Sequence, residues 1–120
     1  MEILFIIGRV LFGGLMVFAG VSHFTQMKKM IGMAKMNKVP IPGLAVAVTG
    51  LLLLLGGLSV VVWYEIWWGL VALLVFFVPT TLMMHAFWNA APEKKTQQMH
   101  GFMGNISIIG LLLMLLNFVS

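Results

Sequence analysis

Three histidines, His23, His85 and His100, are the side chains of this sequence best suited to chemistry. Neutral imidazole can ligate a metal or haem iron, hydrogen-bond a quinone carbonyl, or relay a proton. No two histidines are four residues apart, which is the usual helical zinc pattern, so we expect no metal site. The favoured interpretation of the histidines is structural: a hydrogen-bond network in which they and the nearby Asn89 and Asn105 join helix ends.

The segment around His85 has the spacing of a one-sided helical site. Thr81, His85 and Trp88 follow an i, i+4, i+7 pattern and are expected to share one helix face. Pro79 lies just upstream, where it is expected to kink the helix and free nearby backbone carbonyls. A ligand site on this face would use Thr81, His85 and Trp88, and Asn105 is expected at the same end of the molecule.

Arg9 lies about two turns into the first apolar segment, where a permanent charge must reach water or find a partner. Glu2, Glu65 and Asn117 are predicted at the same end of the molecule. The favoured interpretation is that Arg9 ties helix ends together. The functional alternative is that it anchors an anionic or carbonyl group of a ligand.

One stripe of the first segment repeats with 4-3-4-3 spacing and comprises Arg9, Gly13, Met16, Gly20 and His23. The second apolar segment carries the glycines Gly50, Gly56 and Gly57. Glycines on such stripes let another helix, or a flat ligand, approach the backbone closely. Close helix packing is the favoured interpretation, and a groove for a quinone ring is the alternative.

Four apolar segments must position these residues, at about 3–24, 43–62, 66–88 and 101–119. Apolar residues make up 62% of the chain and charged residues 8%, too few to cover a soluble core with polar surface. Each segment suits a helix crossing a bilayer core of roughly 30 Å. The predicted fold is all-α: a single-domain integral membrane four-helix bundle with up-down-up-down topology.

The basic residues indicate how the chain is oriented. Six of the seven lie in the connections 25–42 and 89–100, which an even number of spans places on one side. The positive-inside rule makes that side cytoplasmic and puts both termini outside the cell membrane. The charge therefore relates to topology and to a lipid bilayer rather than to nucleic acid. The absence of cysteine excludes thiol chemistry and disulfides.

The first connection has helical composition over about 27–37, and its methionines recur every third residue at Met27, Met30, Met33 and Met36. The favoured interpretation is a short interfacial helix with methionines toward the apolar side and lysines toward anionic lipid. The alternative is a thioether ladder for Cu(I).

Three stretches of the chain resemble the DoxX-like family of membrane proteins. They are RVLFGGL and FAGVSHF within 9–24, TLMMHAFW at 81–88, and QMHGFMGNISIIGLLL at 98–113. Order, spacing and the four-span plan agree with the family over nearly the whole chain. The resemblance implies a small four-helix protein of the bacterial or archaeal cytoplasmic membrane. Some relatives are associated with quinone-linked oxidoreductases, oxidative stress or quinone detoxification, and others have no agreed activity.

The chain also departs from the family pattern at three membrane positions. It has His23 and Gly104 where many relatives carry Lys, and Val46 where many carry Glu. If those charges perform chemistry in relatives, this protein differs from them. If they only pair with one another, their joint loss is tolerated, because removing both partners of a buried ion pair costs less than removing one.

The leading hypothesis is a redox-associated membrane subunit that binds a quinone-like ligand between its helices. The expected site residues are Arg9, His23, Thr81, His85, Trp88 and Asn105. A quinone is the favoured cofactor and haem the weaker alternative. No side chain here carries electrons, so a redox partner is implied and catalysis by this chain stays open. The second hypothesis is a scaffold for another membrane protein, and the third is a transporter or channel acting as a homo-oligomer.

Overall fold

The computed structural model describes residues 2–120, and these fold into helices joined by short connections. The helices are α1 (Glu2–Thr25), α2 (Met27–Met36), α3 (Pro42–Val62), α4 (Ile66–Met84) and α5 (Pro92–Val119), with a 3₁₀ turn at Phe87–Asn89. All except α2 and the turn are long and apolar enough to cross a membrane. The predicted all-α membrane bundle with four spans is therefore confirmed.

Helices α1 and α3 pack with their backbones in contact, because glycines occupy the crossing. A Cβ atom at Gly13 would lie 2.7 Å from the carbonyl oxygen of Gly57, and one at Gly57 would lie 2.8 Å from that of Gly13. In lipid, where apolar burial drives little association, such close packing holds helices together. The glycine stripe of α1 is therefore filled by α3, as favoured from the sequence, and it leaves no groove for a ring.

The core lies mainly between α3 and α4, and α5 closes one side of it. Its fully enclosed members are Leu53, Leu70, Leu73 and Leu112. The outer faces are apolar as well; Phe118, for example, is 83% exposed. An apolar exterior on four membrane-length helices is solvated by lipid, so the bilayer is the environment of this fold.

Two helix ends differ from the predicted spans. Helix α4 continues through Pro79 and ends at Met84, before residue 88, and α5 begins at Pro92, before residue 101. Proline is favoured in the first turn of a helix, and the polar residues after Pro92 extend α5 beyond its apolar part. The 89–100 connection is consequently helical over most of its length.

The early end of α4 changes the expected face of that helix. His85 is the residue after α4, and its φ of −122° is not helical. Trp88 lies in the 3₁₀ turn, where its ring packs 5.2 Å from Phe87 and 5.6 Å from Phe102 of α5. The prediction that Thr81, His85 and Trp88 share one helical face is therefore wrong, because α4 ends before His85. Packing of Phe87 and Trp88 on Phe102 of α5 stabilises a different backbone path.

Candidate functional site

A cavity of about 920 Å³ lies at the end of the bundle where α1 ends and α3 begins. Helices α1 to α5 all contribute to it, and its volume is within the usual range for small-molecule sites. The lining residues are His23, Met30, Met33, Ala34, Met36, Asn37, Val39, Pro40, Ala45, Val46, Thr49, Phe76, Pro79, Thr80, Met83, Met84, His85, Lys94, Gln97, Gln98 and Gly101. The walls are mainly apolar, and six polar residues line them besides the two histidines: Asn37, Thr49, Thr80, Lys94, Gln97 and Gln98.

His23 is held against the first turns of α3. Its Nδ1 lies 3.1 Å from the carbonyl oxygen of Val46 and 3.2 Å from the hydroxyl oxygen of Thr49. The Thr49 hydroxyl donates to the carbonyl oxygen of Ala45 at 2.7 Å. The imidazole ring also makes an edge contact with Phe76, with ring centroids 6.0 Å apart. These contacts give the ring one orientation at the cavity wall.

His85 is held against α5. Its backbone N–H donates to the carbonyl oxygen of Thr81, and its Nδ1 lies 3.1 Å from Oε1 of Gln98. A Cβ atom at Gly101 would lie 2.6 Å from the same Nδ1, so the ring packs directly on the glycine. The early start of α5 makes this arrangement, because it places Gln98 and Gly101 on one helix beside His85.

The structure brings two of the six expected site residues, His23 and His85, to the same cavity. Thr81 lies one turn before His85, is 1% exposed, and its hydroxyl has no hydrogen-bond partner within residues 2–120. Trp88, which is 50% exposed, and the half-buried Asn105 do not line the cavity. His100 is exposed and does not line the cavity, and within residues 2–120 the three histidines are not grouped together.

Arg9 lies near the opposite end of α1, fourteen residues before His23, which corresponds to roughly 21 Å along the helix axis. Its Nη2 and Nε donate to the carbonyl oxygen of Val61 at 3.0 and 3.3 Å. Its guanidinium carbon lies 5.1 Å from the centroid of the Phe5 ring. Arg9 therefore ties α1 to the end of α3 and is not part of the cavity.

Arg9 donates to the backbone carbonyl of Val61 and not to the side chains predicted at the same end, Glu2, Glu65 and Asn117. The last carbonyls of a helix have no partner within it, and Val61 is the penultimate residue of α3. An arginine two turns into the neighbouring helix can therefore satisfy one of these carbonyls without a carboxylate.

Two polar residues that contact the cavity histidines, Thr49 and Gln98, were not predicted from the sequence. The expected histidine–asparagine network is replaced by contacts of His23 with Val46 and Thr49, and of His85 with Gln98. Thr49 could have been suspected, since it interrupts an otherwise apolar helix. Gln98 lies among other polar residues in the predicted 89–100 connection, so its position gave no comparable signal.

Methionines supply much of the apolar wall. Met30, Met33 and Met36 of α2 line the cavity together with Met83 and Met84 at the end of α4. Unbranched, polarisable side chains fill irregular space and adapt to varied ligands. Within residues 2–120 no three His, Asp or Glu side chains are grouped so as to hold a metal ion. The Cu(I) alternative for these methionines stays a prediction.

The DoxX family model matches residues 4–86, which is more than half of the chain. The matched part includes both cavity histidines and ends before α5. The stretch at 98–113 that resembles the family is therefore outside the match. No curated protein and no solved structure matches the chain.

Proposed function

The chain belongs to the DoxX family of membrane proteins, and we propose that it binds a quinone-like ligand in the cavity lined by His23 and His85. The observation that carries the proposal is the combination of two half-buried imidazoles with a largely apolar wall in a cavity of about 920 Å³. A quinone needs these two features, since its ring has polar oxygens at both ends and its substituents are apolar.

The interior of the cavity supports a planar ring. Phe76 and Pro79 form part of the wall deeper in the bundle, and Met83 adds flexible apolar surface. The polar groups that can orient a ligand are few, as is usual for small-molecule sites. Haem is the weaker candidate, because the same two imidazoles would have to act as its axial ligands.

The proposed role is that of a ligand-binding subunit in a redox system. None of the twenty-one lining residues is a cysteine or another side chain that donates electrons to a quinone or accepts them from a hydroquinone. Electrons must therefore come from, or go to, a partner that carries a cofactor. The chain would hold and orient the quinone-like ligand between the membrane and that partner.

We expect His85→Ala to reduce the quinone recovered from the purified protein by at least about tenfold. The substitution removes a hydrogen-bonding group from a half-buried site, and each tenfold loss corresponds to about 1.4 kcal/mol. The measurement is an ultraviolet–visible spectrum and an organic-solvent extract of protein purified gently from its native membrane. His100→Ala is the matched control, because His100 is exposed and does not line the cavity.

A melting temperature for each variant shows whether it is folded before its extract is compared. Quinone retained in full by folded His85→Ala protein would contradict the proposed role of His85. An extract of the unaltered protein that contains lipid alone would favour the scaffold role. Crosslinking for a stoichiometric membrane partner would then be the next experiment.

We also propose that the cavity end of the bundle faces the cytoplasm, since the lysines of the first and third connections are at this end. Single cysteines test this in a chain that has none of its own. In intact cells, a membrane-impermeant maleimide should label Tyr64→Cys, and should label Lys95→Cys only after permeabilisation. Both side chains are exposed, so the reverse pattern would invert the topology.

A further inference from the structure

The hydrogen-bond acceptor beside His23 indicates which ring nitrogen carries the proton. The Val46 carbonyl oxygen can only accept a hydrogen bond, so its 3.1 Å contact with His23 requires a hydrogen on Nδ1. Thr49 agrees with this assignment. Its hydroxyl hydrogen is donated to Ala45 at 2.7 Å, which leaves its oxygen to accept from the same Nδ1–H. A neutral imidazole carries one N–H, and Nε2 of His23 is therefore an acceptor.

The same assignment holds for His85. Its Nδ1 faces the amide oxygen Oε1 of Gln98 at 3.1 Å, and an amide oxygen accepts. The Nδ1–Cε1 edge of the ring also packs on Gly101, where a Cβ atom would lie 2.6 and 2.9 Å from these two atoms. Within residues 2–120, Nε2 of neither ring has a hydrogen-bond partner. Each histidine thus offers one free acceptor.

The two free acceptors favour a ligand that donates hydrogen bonds, and the other polar lining groups do not reverse this preference. Lys94 and Gln97 can donate, but both are exposed at the cavity opening, where water satisfies them. Thr80 has a hydroxyl that donates or accepts equally well. Thr49 is half-buried, but its hydroxyl hydrogen is donated to Ala45. Gln98 is half-buried as well, and its amide nitrogen is a donor beside the oxygen that faces His85. Two imidazole acceptors against this one amide donor favour a ligand that donates.

We propose that the cavity selects the reduced, hydroquinone form of its ligand over the oxidised quinone. This inference rests on the proposed function. A hydroquinone has two O–H donors, one for each Nε2, whereas a quinone has two carbonyl oxygens that only accept. An oxygen lone pair facing an imidazole lone pair leaves both unsatisfied in a half-buried site, which costs affinity.

Three ligands built on the same tetramethylated ring test the proposal on the full chain in detergent or nanodiscs without oxygen. They are duroquinone, duroquinol and the dimethyl ether of duroquinol, which cannot donate. We expect duroquinol to bind at least about tenfold more tightly than either of the others by titration calorimetry. The absence of cysteine means that neither reductant nor quinone alters thiols of the protein.

Each result decides a different question. Equal affinity for duroquinone and duroquinol would overturn the selectivity while leaving the proposed function intact. A dimethyl ether that binds as tightly as duroquinol would show that O–H donation is not what the site recognises, and would overturn it as well. Absence of binding by all three would refute the proposed function and the inference together.

A tautomer measurement and a substitution supply independent checks. Nitrogen-15 spectra of labelled histidine should show a proton on Nδ1 of His23 and His85, and a proton on Nε2 of His23 would overturn the proposal. His23→Lys replaces an acceptor with a donor and should lower the ratio of duroquinol to duroquinone affinity by about tenfold. His100→Lys adds the same side chain outside the cavity and should leave the ratio unchanged.

Discussion

Gly13→Ala should lower the free energy of unfolding by roughly 2–3 kcal/mol, the upper part of the usual cost of overpacking. The added methyl carbon would lie 2.7 Å from the Gly57 carbonyl oxygen and 2.9 Å from the Val61 backbone nitrogen. Backbone atoms cannot rotate away, so α1 and α3 must move apart. The movement would also weaken the bond from Arg9 to Val61, which joins the same two helices.

Gly14→Ala is the matched control, in the same helix and one residue away. A Cβ atom at Gly14 meets no heavy atom within 4 Å, and alanine favours a helix over glycine by about 1 kcal/mol. Thermal unfolding in one detergent, followed by circular dichroism, should show a lower melting temperature for Gly13→Ala alone. Equal melting temperatures for the two variants would show that α1 and α3 are not packed through these glycines.

Gly101→Ala should reduce ligand affinity by about tenfold or more while leaving stability nearly unchanged. The methyl group would occupy the space of the His85 ring edge, 2.6 Å from Nδ1. The ring can rotate into the cavity, so the fold survives. Its hydrogen bond to Gln98 would be lost, however, and Nε2 would no longer be directed by that contact. The measurement is duroquinol affinity together with the melting temperature.

Gly104→Ala, one turn along α5, serves as the control because no heavy atom lies within 4 Å of its Cβ position. It should bind duroquinol as the unaltered chain does. If Gly101→Ala retains full affinity, the contact of His85 with α5 does not position the ligand, and His23 alone would have to do so.

The contact between His23 and Val46 bears on how this chain departs from its family. These are two of the positions where the resemblance implies lysine and glutamate, and here they are hydrogen-bonded to one another through the Val46 backbone. Adjacent positions can exchange an ion pair for a neutral contact at little cost, since no charge is left without a partner. This side of the cavity wall therefore carries neither a lysine nor a carboxylate at these two positions.

Features that belong to one segment could be predicted from the sequence. Four apolar stretches of bilayer length require four spanning helices, because backbone groups in lipid must be satisfied within each helix. The stripe containing Gly13 and Gly20 likewise predicts a close helix contact, since its periodicity is a property of α1 alone. Membership of the family follows from the same local patterns.

Which side chains meet across helices was decided only by the tertiary structure. The rotation and axial offset of each helix depend on packing against its neighbours, so equal hydropathy is compatible with many pairings. Arg9 donates to the backbone carbonyl oxygen of Val61. His85 contacts Gln98 because α5 begins nine residues earlier than its apolar stretch. The cavity exists because α2 and the polar start of α5 form part of its wall beyond the apolar spans. Hydropathy identifies only the apolar spans, so it could not predict this wall.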